Sequence, residues 1–420
     1  MVLYGELLEP PTLRFNFSSV GARDAGARRG LVRYGPYDSS LFPYEQIRAA
    51  VVFPKGCERQ RDLLVKGIRD GEETFRGFQS LFRVPLAFDD EEGIPFSTDS
   101  ELQTRLDGLV AQANPPDIVY VILPRQRPGL YVKAKSRLLA NGIPSQMAIA
   151  EKLTEQRGRQ YTLENLALAT YAKVGGTPWT VAASDAGEEL VLGVSRAQDA
   201  SRKYLVGYVI LFTKDGDFLF VNSKAPVFEW DAYVDGLSGL VHDAVVEFER
   251  MRGTPECITV HFHRNPGWKE LEAVKAGLER ASKEIPFALL HLNDDSNFRL
   301  FDAQHGSYVP RSGLKVTLSA HEALLMLDGR RNGERRKIGV PTVLDVRMDS
   351  RSTLGEEHFP RLVKQVSDFA HINWRGFNAA AVPITLNYSK LIAKMIAEIS
   401  VQAWNATVAE GRLKDKAWFL

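Results

Sequence analysis

Cysteine is scarce in this chain. Only Cys57 and Cys257 occur among 420 residues. They lie far apart, so neither a zinc-type spacing nor a disulfide framework can be drawn, and a cytoplasmic location fits. An excess of charge of one sign is also missing. The 53 Lys and Arg residues against 52 Asp and Glu leave a formal net charge of +1. That excludes a global basic field of the kind that coats nucleic acid indiscriminately, but it leaves room for a local basic pocket. No apolar run reaches the ~20 residues of a membrane span. The segment Met1 to Phe15 carries Glu6, Glu9 and Pro10-Pro11. Without a basic region followed by an apolar core, it does not read as a signal peptide. There is no Walker motif, internal repeat or low-complexity tract. What remains is an ordinary globular composition, 44% hydrophobic and 25% charged, in a chain long enough for two or three domains.

Residues 1 to about 40 show little periodicity, and Gly21 to Gly30 reads as a loop, an arm or a disordered tail. From Ile47 an alternating α/β pattern begins. Arg48 to Phe53 predicts a buried strand and Glu58 to Gly71 a helix closed by glycine. Asp99, as an N-cap, opens a helix to about Ala113. The continuous apolar run Ile118 to Leu123 predicts a strand covered on both faces. Tyr131 to Ala140 predicts a helix and Ile143 to Ala148 a short strand. This alternation implies a parallel, doubly wound sheet. Beyond Leu166 the pattern changes. A strand over Glu189 to Gly193 precedes a hairpin, Tyr204 to Thr213 and Asp217 to Asn222, turned at Lys214-Asp215-Gly216. A long helix (Trp230 to Met251), a strand (Ile258 to His263), a helix (Trp268 to Ser282) and a strand (Phe287 to Asn293) follow. That order is RNase H-like. Further strands fall near Leu314 to Ser319 and Thr342 to Arg347. Helices over Phe359 to His371 and Tyr388 to Ala403 close the chain.

Four residues carry the chemistry. Tyr131 and Lys135 are four apart on one predicted helix and share a face. Both lie near the carboxyl end of the strand ending at Leu123, the edge where open α/β sheets bind ligands. Gln146 starts the next strand region. Lys173 ends a helix, and Gly175-Gly176 permits close backbone approach. Two lysines, an amide and a phenol suit a terminal phosphate, with the Tyr131 ring placed to stack on the first base. A terminal monophosphate carries nearly two negative charges, so two lysines distinguish it from a hydroxyl. Each residue alone reads as an ordinary surface group; the four together do not.

Tyr131, Lys135, Gln146 and Lys173 resemble the 5′-phosphate pocket of the MID domain of Argonautes. Lys173-Val174-Gly175-Gly176-Thr177-Pro178-Trp179 is similar to the opening of the PIWI domain. Asn373-Trp374-Arg375-Gly376-Phe377, Pro383 to Tyr388 and the terminal Trp418-Phe419-Leu420 are similar to its C-terminal region. Leu31 to Tyr37 resembles the entry to MID in short archaeal and bacterial members. The segments occur in family order over nearly the whole chain, which resembles a short prokaryotic Argonaute. The resemblance implies an α/β fold: an N-terminal arm over 1–45, a Rossmann-like MID domain over 46–165 and an RNase H-like PIWI domain over 166–420. It implies guide-backbone contact by Arg375. It also implies that the Leu420 carboxylate helps hold a divalent cation, Mg²⁺, bridging guide phosphates. The alternative is an apolar tail simply docked on the core. Some relatives carry a polar metal contact where this chain has Ala169, which weakens the metal inference relative to the phosphate.

An RNase H-type nuclease needs several carboxylates around two Mg²⁺ ions. The first should lie on the strand through Val191 to Arg196, where Ser195 stands, and Arg196 adds positive charge. The second should end the strand Val260 to Asn265, which has no carboxylate. The last should start a C-terminal helix, where Asn387-Tyr388-Ser389 stands. Three positions fail together, so a cleavage-inactive protein is expected, with Asp199 the nearest substitute if the alignment slips. His261 and His263 share a strand face, with His291 as the nearest neighbour, and read as core or surface histidines rather than zinc ligands. The pairs Glu188-Glu189, Asp294-Asp295 and Glu356-Glu357 read as solvated turns. The basic run from Arg330 to Lys337 lines a guide–target channel or is a solvated loop.

By resemblance, the function is that of a guide-loaded sensor in prokaryotic defence. It takes a 5′-phosphorylated guide, expected to be RNA, pairs it with complementary invading DNA, and releases an effector in an APAZ-containing partner, sirtuin-like, TIR or nuclease. Two alternatives stay open: an active RNase H-like guided nuclease, and a stand-alone nucleic-acid-binding dimer.

Overall fold

The computed structural model describes residues 4–125, 127–182, 187–198, 201, 205–224, 226–263, 266–331, 341–399, 404 and 413–420. The N-terminal segment is ordered from Tyr4 onward, against the reading of Gly21 to Gly30 as a disordered tail. It forms β1 (Tyr4–Leu7), β2 (Leu13–Arg14), β3 (Arg23–Asp24) and α1 (Ala27–Tyr34). Its order comes from apolar residues too sparse to show periodicity. Phe15 and Leu31 are fully buried, and a Cβ on Gly30 would lie 2.1 Å from the Phe15 ring. Only glycine lets α1 pack so closely there.

The next region holds β4 (Ile47–Pro54), α2 (Glu58–Asp70), α3 (Phe78–Phe82), β5 (Leu86–Phe88), β6 (Ile94–Phe96), α4 (Asp99–Val110), β7 (Ile118–Leu123), α5 (Pro128–Leu139), β8 (Ser145–Ile149), α6 (Ala150–Thr154) and α7 (Arg159–Lys173). Its strands run in the order β5-β4-β7-β8, with β6 also on β4, and all pair in parallel. Every residue of β7 is buried. Its odd members Val119, Val121 and Leu123 face α4 and α5, and its even members face α2 and α7. That two-sided burial explains the unbroken apolar run. Helix α4 is capped by Thr98, whose side chain accepts from the Glu101 amide at 3.1 Å, and not by Asp99, which is its first residue.

The C-terminal region contributes β9 (Thr180–Val181), β10 (Glu189–Gln198), β11 (Leu205–Thr213), β12 (Phe218–Ser223), α8 (Trp230–Arg252), β13 (Cys257–His263), α9 (Trp268–Ala281), β14 (Phe287–Asn293), β15 (Leu314–Ser319), β16 (Glu322–Met326), β17 (Leu344–Met348), α10 (Phe359–Phe369) and α11 (Ile384–Glu398). One nine-stranded sheet runs β1-β15-β16-β17-β14-β13-β10-β11-β12. Within it, β10, β11 and β12 are antiparallel, and β13 and β14 add in parallel across α8 and α9. This is an RNase H-like core. Side-chain parity on β10 separates two cores: Leu190, Leu192 and Val194 pack on α8 and α9, while Val191 packs with Ile384 and Tyr388 of α11. The small sheet β3-β2-β9 ties the N-terminal segment to the chain beyond α7.

Candidate nucleic-acid interface

The four residues singled out in the sequence converge. Lys135, in the second turn of α5, is 1% exposed, and Lys173, the last residue of α7, is 2% exposed. The Lys173 ammonium donates to the Ser145 carbonyl at 2.8 Å and to Gln146 Oε1 at 2.7 Å. Gln146 is therefore held by Lys173, and its amide donates to the Met147 carbonyl at 3.2 Å. The Lys135 ammonium lies 3.4 Å from the Tyr131 hydroxyl, one helical turn away, and 5.6 Å from its ring centroid. The chain can turn sharply behind Lys173 because Gly175 adopts φ +103° and Gly176 lies flat on Tyr171, where a Cβ would meet the ring at 2.3 Å. Tyr171 is fixed in turn by a 2.6 Å hydrogen bond to Asp38.

Sequence reasoning missed the far wall of this cleft. Helix α11 brings Met395, whose sulfur accepts from the Tyr131 hydroxyl at 3.9 Å, together with Lys394 and Glu398, whose charges act on Lys135. Spacing on α11 could have signalled it: Leu391, Lys394, Met395 and Glu398 repeat at three and four residues, on one helix face. Arg375 stands on the loop after α10, and its charge acts on Tyr131, Lys135 and Lys173. The loop is anchored by Trp374, 1% exposed, whose indole donates to the Trp179 carbonyl at 3.2 Å.

The cleft holds more positive charge than it can comfortably keep. Burial, and then Arg375, pushes the Lys135 ammonium down to about 8. Burial, then Lys135 and Arg375, holds Lys173 well below the ordinary lysine range. Burial and the Glu398 carboxylate push the Tyr131 phenol up. One Glu398 oxygen is buried without a hydrogen-bond partner. Desolvated cations of this kind are matched chemically by a compact polyanion, which would supply counter-charge.

The tail Trp418-Phe419-Leu420 is buried, with Phe419 edge-on to Tyr388 at 4.9 Å. It joins the core that also packs Tyr131 and Leu391. Among the described residues no group of three or more His, Cys, Asp or Glu side chains could hold a metal ion. Around the two lysines stand Arg375, Lys394, the neutral Tyr131 and Gln146, and one carboxylate, Glu398, so the balance of charge in the cleft favours an anion.

At the RNase H-like edge, Ser195 hydrogen-bonds Tyr208, whose hydroxyl donates to the Ser389 carbonyl of α11 at 2.7 Å. Arg196 does not point there. As the next residue on the strand it faces the opposite side, pairing with Glu270 at 2.8 Å and lying over Trp230 at 4.7 Å. Asn387 to Ser389 sit inside α11, which begins at Ile384. Asp294 is not a solvated turn: it pairs with Lys390 of α11 and lies 3.6 Å from His263, and the His263 and Lys390 contacts hold its carboxyl well below the usual range. Glu189 is also buried, paired with Arg361 at 2.8 Å. The three histidines do not converge. His261 meets Thr385 at 2.9 Å, with burial pushing it down to about 3, while His263 meets Asp294 and His291 meets Asp349. Arg330 pairs with Asp302 at 2.6 Å and Arg331 donates to the Ala379 carbonyl, so neither is a simply solvated residue. The rest of that basic run, 332–337, lies outside the described residues, as do Asp199 and residues 264–265.

A Rossmann-like sheet with a buried cationic cleft at its edge, joined to an RNase H-like sheet, is the architecture of Argonaute and Piwi proteins. Residues 118–400 match the model of the Piwi domain, more than half of the chain, and the chain belongs to that family. It is 27% identical over 458 positions to the protein argonaute of Cereibacter sphaeroides, covering 98% of this chain and 58% of that protein. It is 26% identical to the Piwi protein of Archaeoglobus fulgidus over 93% of both chains. Among solved structures, the Argonaute of Clostridium butyricum bound to a guide DNA and a 19-mer target DNA superposes with a TM-score of 0.76 at 17% identity, over 95% of this chain and 53% of that one. Drosophila Piwi superposes with a TM-score of 0.71 at 16% identity, over 99% and 56%. The chain thus spans between half and three fifths of three of these four proteins. No helix among the described residues is long and apolar enough to cross a membrane.

Proposed function

We propose that this protein grips the 5′-phosphate of a guide strand between Lys135 and Lys173 and uses the guide to recognise complementary nucleic acid without cutting it. The observation that carries the reading is the pair of buried ammonium groups, brought together from α5 and α7 with Gln146, Tyr131 and Arg375 around them. The terminal phosphate takes the lysines and the Gln146 amide, Tyr131 stacks on the first base, and Arg375 holds the next stretch of guide backbone. A Mg²⁺ ion, when present, would neutralise guide phosphates with the Leu420 carboxylate; the other charged groups named in the cleft are cations and Glu398. On this reading 46–165 is the MID domain and 166–420 the PIWI domain, with 1–45 as an arm.

The guide is RNA and the target invading DNA, in line with the family resemblance. Absence of cleavage is supported by Ser195 at the strand position for the first carboxylate and by Asp294 being held by Lys390 and His263. An APAZ-containing effector, sirtuin-like, TIR or nuclease, then carries the defence activity, and pairing with target releases it. The test is the double variant Lys135→Ala/Lys173→Ala. Two charge-assisted hydrogen bonds at about 1.5–3 kcal/mol each correspond to a loss of roughly a hundredfold or more for 5′-phosphorylated guides. Binding of 5′-hydroxyl guides should change little. A variant that keeps the phosphate preference rules the assignment out.

A further inference from the structure

One carboxylate from outside the terminal cleft holds both flanks of Lys173. Asp38 lies beyond α1, in the N-terminal segment. Its Oδ1 accepts from the Tyr171 hydroxyl at 2.6 Å, and its Oδ2 accepts from the Thr177 amide at 2.9 Å. Tyr171 stands two residues before Lys173, and Thr177 four residues after it. The backbone around Asp38 is fixed as well. Its carbonyl accepts from the Leu41 and Phe42 amides at 2.7 and 2.9 Å, and the Tyr37 amide donates to the Pro178 carbonyl at 3.0 Å. The rings of Phe42 and Phe82 lie 4.6 and 4.7 Å from that of Tyr171. The Thr177 hydroxyl donates to Asp217 Oδ1 at 3.0 Å.

Burial pushes the Asp38 carboxyl up to about 6; the Tyr171 and Thr177 bonds oppose that shift, and the Asp217 carboxylate adds to it. A desolvated carboxylate with a like charge nearby lowers the stability of the fold. What it supplies is a bridge across a weak point. The last turn of a helix leaves carbonyls without partners inside the helix and frays easily. Here that turn runs into two glycines, the first at φ +103°. Lys173 is the last residue of α7, so its ammonium hangs from this turn. A lysine is a point charge on a flexible stem, and only a fixed backbone gives it a defined place. Asp38 ties the residue before the turn to the residue after it.

We propose that Asp38 is a positioning residue for Lys173: by bridging Tyr171 and Thr177 it holds the end of α7 so that the ammonium meets a terminal phosphate without rearrangement. This rests on the guide-binding reading above and places part of the phosphate site's support in the N-terminal segment. The test titrates the wild type, Asp38→Ala, Asp38→Asn, Lys173→Ala and Asp38→Ala/Lys173→Ala with one oligonucleotide sequence ending in a 5′-phosphate or a 5′-hydroxyl. Melting temperatures report whether each variant keeps the fold. Asp38→Ala should bind the phosphate form about tenfold more weakly and the hydroxyl form as before. In the Lys173→Ala background the same change should cause no further loss, because the group it positions is gone. Asparagine can accept from Thr177 through its oxygen and donate to the Tyr171 hydroxyl through its nitrogen, so Asp38→Asn should recover most of the preference. Tyr171→Phe keeps the ring packing, removes one arm of the bridge and should lose about threefold; it decides the matter if Asp38→Ala does not fold. A loss shared by both 5′ ends, or one that adds in full to that of Lys173→Ala, overturns the proposal. A wild type that prefers the phosphate, with an Asp38→Ala variant that keeps the preference, removes this proposal alone. A wild type that binds both ends equally removes the terminal reading and this proposal with it.

Discussion

Replacing Lys135 by methionine should make the unliganded protein more stable. Burial holds the Lys135 ammonium at about 8 instead of its ordinary 10.5. At about 1.36 kcal/mol per unit, that gap corresponds to roughly 3 kcal/mol spent on keeping a desolvated charge. For a lysine whose folded value is depressed, the folded state binds fewer protons than the unfolded state between about 8 and 10.5. Stability therefore rises with pH across that window, and the full cost is present below it. Methionine follows the same path without charge and tolerates irregular packing. The lost contact with the Tyr131 ring, worth about 0.5–1 kcal/mol, does not offset the gain. Urea unfolding at pH 7 should show a gain on the order of 2 kcal/mol, shrinking towards zero at pH 10. A 5′-phosphorylated oligonucleotide should stabilise the wild type and not the variant. A folded Lys135→Met protein that is less stable at pH 7, or whose gain does not shrink, would refute the reasoning.

Affinity for 5′-phosphorylated strands should fall as pH rises above about 8, because Lys135 must then take up a proton on binding; titrations at pH 7, 8 and 9 check this, at up to about tenfold per unit. Gly176→Ala should destabilise the fold by about 1–3 kcal/mol, since the new Cβ would sit 2.3 Å from the buried Tyr171 ring, and thermal melts report it. With Mg²⁺ and a matched target the wild type should give no cleavage product on a gel. Ser195→Asp alone should not restore cleavage while Lys390 and His263 engage Asp294.

How much of this was legible in the sequence depended on how local the cause was. The β7 run, the Tyr131–Lys135 spacing and the Gly175-Gly176 turn are set within a few residues, and the structure has them as read. Lys173 could be placed at a helix end, but its bond to the Ser145 carbonyl spans 28 positions and leaves no local trace. Glu189 was misread because its partner, Arg361, lies 172 residues further on. Asp294 was misread for the same reason, with Lys390 96 positions away. Arg196 is a different case: strand parity with Ser195 already excluded both from one face. The α1 segment was missed because its burial rests on Phe15 and Gly30, a pair with no periodic signature.

The most direct measurement titrates the wild-type chain with two oligonucleotides of one sequence, one ending in a 5′-phosphate and the other in a 5′-hydroxyl. A cleft holding two desolvated lysines predicts that the phosphate form binds at least a hundredfold more tightly near pH 7, an advantage of about 2.7 kcal/mol. Equal affinity for the two ends would contradict the account.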